Sequence, residues 1–100
     1  SLRYKENIQD IGDTSELINK LRPVKFRYKP EYGNSSETQY GLIAEEVDQV
    51  MKDLVIYKNN QPETVKYHFL KFLILDRLQK LNKEVVVIDK EVDLLLNKEK

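Results

Sequence analysis

The chain has 100 residues, with 17 basic and 17 acidic side chains, no cysteine and no net formal charge. This length allows one small domain, and the balanced charge gives no global field that favours nucleic acid or an anionic membrane. No apolar run is long enough to span a bilayer or to form a signal segment, and the only histidine, His68, has no second ligand at metal-binding spacing. We therefore expect protein partners, with no nucleic acid, no membrane, no metal and no cofactor.

The first part of the chain shows short segments with helical or strand patterns. Residues 1–9 alternate charged and apolar side chains, which predicts an extended segment or a short strand. Asp13 and Glu16 have the spacing of a capping box, which predicts a short helix that ends before Pro23. Residues 24–29 alternate apolar and basic side chains, which predicts a half-buried strand.

A second strand, a helix and a hairpin are predicted next. Residues 39–44 have a strand pattern and are expected to pair with residues 24–29. Helical spacing follows over residues 45–51. Residues 54–57 and 64–67 flank a polar turn, as the strands of a β-hairpin do.

The last third of the chain carries an unbroken apolar repeat. Its members lie alternately four and three residues apart and are Ile74, Leu78, Leu81, Val85, Ile88, Val92 and Leu95. On a helix this spacing forms one narrow seam, which is typical of a coiled coil. A helix over residues 69–97 would be roughly 43 Å long, too long to pack entirely on so small a domain. β-Branched residues at both core positions, without a buried asparagine, favour a trimer over a dimer.

An alternative for this helix stays open at this point. Further apolar residues at Val86, Val87, Leu94 and Leu96 widen the apolar face, as in a bundle helix within a monomer. The predicted fold class is α+β and homotrimeric, with a small head of antiparallel sheet and short helices over residues 1–67. A coiled-coil helix follows over residues 68–100. We expect the two parts to act as one functional domain and to form the C-terminal fragment of a longer protein.

Several short motifs follow one another in a fixed order. Residues 3–8 read RYKENI, residues 21–29 read LRPVKFRYK, residues 39–47 read QYGLIAEEV and residues 65–67 read VKY, and the apolar repeat comes after them. In this order they resemble the endosialidase-type intramolecular chaperone. That family is a self-cleaving domain at the C-terminus of phage tailspikes and tail fibres, and it is also found in myelin regulatory factor. The resemblance covers essentially the whole chain.

The resemblance implies a specific function. The domain would trimerise, assist the folding and assembly of an upstream fibre or spike protein, and release itself by autoproteolysis at its N-terminal boundary. It would act once, as a serine peptidase in which a nearby lysine is the general base. A lysine accepts a proton only when neutral, so its pKa of about 10.4 must fall towards neutrality, which burial in an assembled trimer can impose. The place of action would be the host cytoplasm during virion assembly, with the upstream product kept in the virion.

The residues of this Ser-Lys pair are Lys5 and a serine whose position has two alternatives. In the family the serine lies one residue further from the lysine than Ser1 lies from Lys5, and Ser1 stands where an aspartate is usual. The nucleophile is therefore either the residue before Ser1, with the scissile bond outside this chain, or Ser1 itself. Gln39 replaces a usual histidine and cannot shuttle a proton at neutral pH. A structural trimerisation module without cleavage is the alternative function, and a processing domain in a larger regulatory protein is a third.

Overall fold

The fold is a small α+β head followed by one long helix. The computed structural model describes residues 1–98 and measures 68 × 41 × 24 Å along its principal axes. Two separate sheets, each of two strands, form the β part of the head. The predicted fold class is confirmed for its α+β content, its antiparallel strands and its long C-terminal helix.

The first sheet is formed by two short strands that are distant in sequence. Strand β1 (Val24–Phe26) pairs antiparallel with strand β2 (Gln39–Gly41), as the sequence predicts. Helix α1 (Ser15–Lys20) precedes this sheet, and helix α2 (Ala44–Val50) follows it. Ile18 of α1 packs against the core cluster to which α2 contributes Ala44 and Val47.

Helix α1 begins in a different way from the predicted capping box. Its N-cap residue is Thr14, whose side chain makes no cap hydrogen bond. The backbone N–H of Ser15 instead donates to Asp13 Oδ1 over 3.0 Å, and the Ser15 hydroxyl donates to the same oxygen over 2.8 Å. The carboxylate therefore fixes a turn before the helix, and the capping box of Asp13 and Glu16 was a wrong prediction.

The second sheet is the predicted β-hairpin. Strand β3 (Val55–Lys58) and strand β4 (Gln61–Val65) are joined by Asn59 and Asn60, whose φ angles are 53° and 60°. Two successive residues with positive φ form the turn that best matches strand twist, and asparagine tolerates this conformation. Pro62 pairs with Tyr57 next to a bulge in β4, where the lack of an N–H is tolerated.

The core of the head is small and includes the beginning of the long helix. Helix α3 (Tyr67–Lys98) contributes Leu73 to a cluster of buried side chains. The other members of the cluster come from α2 and the hairpin region and are Ala44, Val47, Leu54, Val55 and Val65. Val47 is the most deeply buried, with 1% exposed. Since so few side chains are buried, a single chain gains only modest stability from its own core.

The chain exposes more surface than a compact monomer of its mass. Its accessible area is 8893 Å². A compact globular monomer of the same mass would expose about 6,000 Å². The additional area of about 2,900 Å² exceeds what a standard protein interface buries in total. The outer part of α3 contributes to it, since all of residues 81–98 are exposed. Within residues 1–98, no helix has the length and apolarity needed to cross a membrane.

Candidate functional site

Helix α3 contacts the head through one face and leaves a neighbouring face uncovered. Leu70 and Leu73 pack on the head core, and Arg77 and Lys80 are half-buried on the same side of the helix. Ile74 directly follows Leu73, and successive helical residues differ in direction by about 100°. The apolar repeat therefore lies beside the head-packing face and does not coincide with it.

The uncovered face is the α3 seam, which we define as the residues of the apolar repeat: Ile74, Leu78, Leu81, Val85, Ile88, Val92 and Leu95. Their exposed fractions range from 40% at Leu81 to 61% at Leu78 and Leu95. Complete burial of a side chain of this size stabilises a protein by about 1.5–3 kcal/mol. The α3 seam is thus a continuous apolar surface that a single described chain does not cover.

The remaining apolar residues of α3 are also exposed, so the head does not form a bundle with the outer part of this helix. Val86 and Val87 are 45% and 54% exposed, and Leu94 and Leu96 are 63% and 54% exposed. All of residues 81–98 are exposed in the described chain. The monomeric bundle is therefore not the structure of these turns.

Ser1 and Lys5 lie at opposite ends of a 3₁₀ turn, Leu2–Tyr4. The backbone N–H of Lys5 donates to the Leu2 carbonyl over 3.1 Å, and Ser1 accepts a backbone hydrogen bond from Tyr4 over 3.2 Å. Both side chains are exposed, and no side-chain hydrogen bond within residues 1–98 joins them. A nucleophile and its base must come within hydrogen-bond reach to react. The single chain does not provide this arrangement.

The N-terminal segment that carries Ser1 and Lys5 contacts α3 through residues 9–12. Lys80 Nζ donates to the carbonyl oxygen of Gly12 over 2.6 Å and lies 2.7 Å from Asp76 Oδ2. Gly12 has a φ of 90°, a conformation that favours glycine. Residues 9–11 border a groove of about 280 Å³ on the outer side of α3. The N-terminal segment is therefore held by the outer face of the helix that also carries the α3 seam.

Two of the sequence motifs are joined by an ion pair. Arg22 Nε donates to Glu46 Oε1 over 2.9 Å, and Arg22 Nη2 donates to Glu46 Oε2 over 2.5 Å. These hydrogen bonds, with the charge of the guanidinium, lower the pKa of the Glu46 carboxyl and raise that of Arg22. The sequence interpretation missed this pair. The position of both residues inside matching motifs was the only available indication.

A tyrosine at the start of α3 makes a second connection between motifs. Tyr67 accepts a hydrogen bond from the backbone N–H of Leu42 over 2.9 Å, and its hydroxyl lies 3.4 Å from the Leu42 carbonyl. A Cβ on Gly41 would lie only 2.8 Å from the Tyr67 hydroxyl oxygen. The close approach of the Tyr67 hydroxyl therefore requires glycine at position 41. The hydrogen bond to Leu42 fixes the direction in which α3 leaves the head.

The other side chains that the sequence singled out do not form a reactive cluster. Gln39 is half-buried in β2 opposite Phe26. His68 is exposed, with its ring centroid 4.3 Å from that of Phe69. Within residues 1–98, no group of three or more His, Cys, Asp and Glu side chains has a metal-binding arrangement.

The fold and these contacts define a class of α+β proteins in which a small motif-bearing head carries a long helix with an uncovered apolar face. A protein-family model described as "Chaperone of endosialidase" matches residues 1–56. The matched region contains both motifs that Arg22 and Glu46 connect, and it ends within β3. Because the match covers more than half of the chain, this protein belongs to the family of endosialidase chaperones. The resemblance identified from the sequence motifs is thereby confirmed.

Proposed function

We propose that this domain is a C-terminal intramolecular chaperone that forms a homotrimer through the α3 seam. In this role it assists the folding of an upstream fibre or spike protein and then releases itself by autoproteolysis. The observation that carries the proposal is the α3 seam, an apolar surface that lies clear of the head. The family description, which names a chaperone of endosialidase, supports it. The place of action would be the host cytoplasm during virion assembly.

Association through the α3 seam would bring three chains side by side. Each helix would bury its seam against the seams of two other copies, and the heads would lie on the outside, beside the seam. Each chain carries one copy of the client at its N-terminal segment, so the three client chains would be held close together. Their high effective concentration would make association of the three client chains far more favourable than association of separate chains.

The proposed cleavage uses Lys5 and a serine hydroxyl at the N-terminal boundary. The hydroxyl oxygen attacks the carbonyl carbon of the peptide bond, and its proton passes to the neutral amine of Lys5. The C–N bond then breaks, the lysine returns the proton to the leaving amine, and the upstream chain is held as an ester on the serine. Water hydrolyses this ester, which frees the upstream carboxylate and the serine hydroxyl.

The exposed position of Lys5 gives a reason for cleavage to follow assembly. In the single chain Lys5 and Ser1 are exposed and not joined by a hydrogen bond. Contact with other copies would be needed to bury the lysine and to bring it to the serine. The same observation favours the second candidate function, a trimerisation module that does not cleave itself.

The test uses a precursor extended upstream with its native residues. We expect the intact mass of the purified parent to show loss of the upstream part, and that of Lys5→Ala to show the uncut precursor. Ser1→Ala distinguishes the two positions of the nucleophile, because it blocks cleavage only if Ser1 attacks. Lys58→Ala, which changes an exposed hairpin lysine, is the matched control and should cleave as the parent does.

Sedimentation of the same proteins separates assembly from chemistry. A parent that is trimeric and uncut would support the non-cleaving module and overturn the proposed autoproteolysis. Cleavage in Lys5→Ala equal to that in the parent would exclude Lys5 as the base. A parent that sediments as a monomer at all concentrations would overturn the proposed assembly.

A further inference from the structure

An open apolar cleft lies at the base of α3, beside Leu70, which precedes the first residue of the α3 seam by one helical turn. Its volume is about 430 Å³, and its walls include Pro23, Val24, Tyr40, Leu42 and Leu70. Tyr40 is 80% exposed, so the described chain leaves this wall open to solvent. An exposed apolar hollow of this kind marks an interaction site more often than a random surface does.

Leu70 connects the cleft to the α3 seam. If Leu78 is an a position and Ile74 a d position, Leu70 falls at g, the position that flanks the seam on the side of the head. In a parallel coiled coil, the g position of one helix faces the next e position of its neighbour. That e position is Leu75, which is 48% exposed although residues 9–11 of its own chain lie beside it.

The residue types at the flanking positions single out this level of the helix. Flanking positions usually carry charged side chains that form ion pairs between helices. The next two pairs of g and e positions are polar, Arg77 with Asn82 and Glu84 with Asp89, and the last pair combines Glu91 with Leu96. Only beside the cleft are both flanking residues leucines, Leu70 at g and Leu75 at e. An apolar pair is expected where a neighbouring apolar surface covers it.

We propose that the cleft of each head receives Leu75 from a second copy of the chain, in a parallel arrangement of the helices. This inference rests on the proposed association through the α3 seam and extends it to a contact between a head and the neighbouring helix. The uncovered area of about 2,900 Å² is large enough for both contacts, since standard interfaces bury about 1,200–2,000 Å². The contact sets the register of the heads, which the repeating seam alone leaves free to slip by whole heptads.

Crosslinking tests the proposed neighbour directly, because the chain contains no cysteine. Leu70→Cys and Leu75→Cys chains, one of them carrying a mass tag, are refolded together and treated with a short bis-maleimide. The matched control replaces Leu75→Cys with Asn82→Cys, which occupies the following e position about 10 Å further along the helix. We expect the 70–75 crosslink to exceed the 70–82 crosslink at least several-fold.

Two kinds of result would contradict the proposal, and they can be told apart. Equal crosslinking of the two pairs, or no 70–75 crosslink in a sample that sediments as an oligomer, would overturn the proposal while leaving association through the seam intact. A sample that sediments as a monomer would overturn both the contact and the proposed assembly. The position of the tag in the crosslinked product excludes reaction within one chain.

A charge at the proposed contact provides a second test that does not alter the cleft itself. Leu75→Glu would place a carboxylate in an apolar cleft, and we expect the concentration for half-dissociation of the oligomer to rise by about tenfold or more. The control is Leu94→Glu, which adds the same charge at an outer position that is 63% exposed. Equal effects of the two substitutions would contradict the contact.

Discussion

The hydroxyl oxygen of Tyr67 lies 2.8 Å from the point that a Cβ on Gly41 would occupy. This hydroxyl is fixed by its hydrogen bond from the Leu42 N–H, so it cannot move away without loss of that bond. The contact joins strand β2 to the first residue of α3. It links the head to the first turn of the helix that carries the α3 seam, and it explains the glycine of the QYGLIAEEV motif.

We expect Gly41→Ala to destabilise the head by about 1–2 kcal/mol, because the methyl group displaces the Tyr67 hydroxyl and breaks its hydrogen bonds. Tyr67→Phe alone should cost about 1 kcal/mol for the same bonds. In the double variant the ring keeps an ordinary contact, since the new Cβ would lie 3.6 Å from the Cζ atom. Urea unfolding of the four proteins should show that Gly41→Ala costs less in the Phe background. Equal costs in both backgrounds would exclude this steric relationship.

Local patterns were sufficient to predict most elements of the head. The alternation in residues 24–29 and 39–44 predicted β1 and β2, and their pairing is confirmed. Polar residues between two strand patterns predicted the hairpin, because a tight turn needs residues that tolerate positive φ. These elements could be predicted since their causes lie within a few residues of one another.

Contacts between distant residues were not predictable in the same way. The pair of Arg22 with Glu46 and the hydrogen bond of Lys80 to Gly12 join positions that are 24 and 68 residues apart. Such pairs leave no periodic pattern in the sequence. The roles of Ser1 and Lys5 came from a family resemblance alone, and burial of the α3 seam would need other copies of the chain, so both stay predictions until they are measured.

The stability of the hairpin and α2 should depend on pH through Asp48 and Tyr57. The Tyr57 hydroxyl donates a hydrogen bond to Asp48 Oδ1, and this bond is the main cause that lowers the pKa of Asp48 and raises the pKa of Tyr57. The contribution of Asp48 is fully present above its ordinary pKa of 3.8 and is lost as the pH falls through the lower folded value. That of Tyr57 is present below 10.0 and is lost as the pH rises through the raised folded value.

Tyr57→Phe should therefore be less stable than the parent at neutral pH and approach it in strong acid and in strong base. The measurement is the free energy of unfolding across pH, and Tyr32→Phe, which changes a 74% exposed tyrosine, is the control. Other carboxyls with lowered pKa values, such as Glu46, contribute equally to parent and variant and cancel in the difference. A difference that does not change with pH would contradict the role of this hydrogen bond.

Charges in the α3 seam should abolish association. Val85→Asp with Ile88→Asp places two carboxylates where apolar side chains would be buried, and we expect the oligomer to dissociate to monomers in sedimentation experiments. The control, Val86→Asp with Val87→Asp, changes neighbouring exposed residues of the same helix and has a similar effect on helix propensity. Unchanged sedimentation of the seam variant, or equal dissociation of both variants, would exclude the α3 seam as the interface.

Lys80 should control the order of the N-terminal segment without controlling the fold. Its ammonium group binds the Gly12 carbonyl, so Lys80→Ala should release residues 1–12 from α3 and increase their amide exchange and their cleavage by added protease. Because the Lys80 side chain is 40% exposed, the free energy of unfolding should change by less than about 1 kcal/mol. Lys83→Ala removes an exposed lysine of the same helix and should leave exchange unchanged.

A second substitution tests the same attachment from the other side. Gly12→Ala places a side chain at a φ of 90°, which strains the backbone even though no atom lies within 4 Å of the new Cβ. We expect it to reproduce the faster exchange of Lys80→Ala, and the double variant to show little further increase, because both changes break one contact. Additive effects would mean that the two residues act separately. Unchanged exchange in Lys80→Ala would show that its hydrogen bond to Gly12 does not hold the segment that carries Ser1 and Lys5.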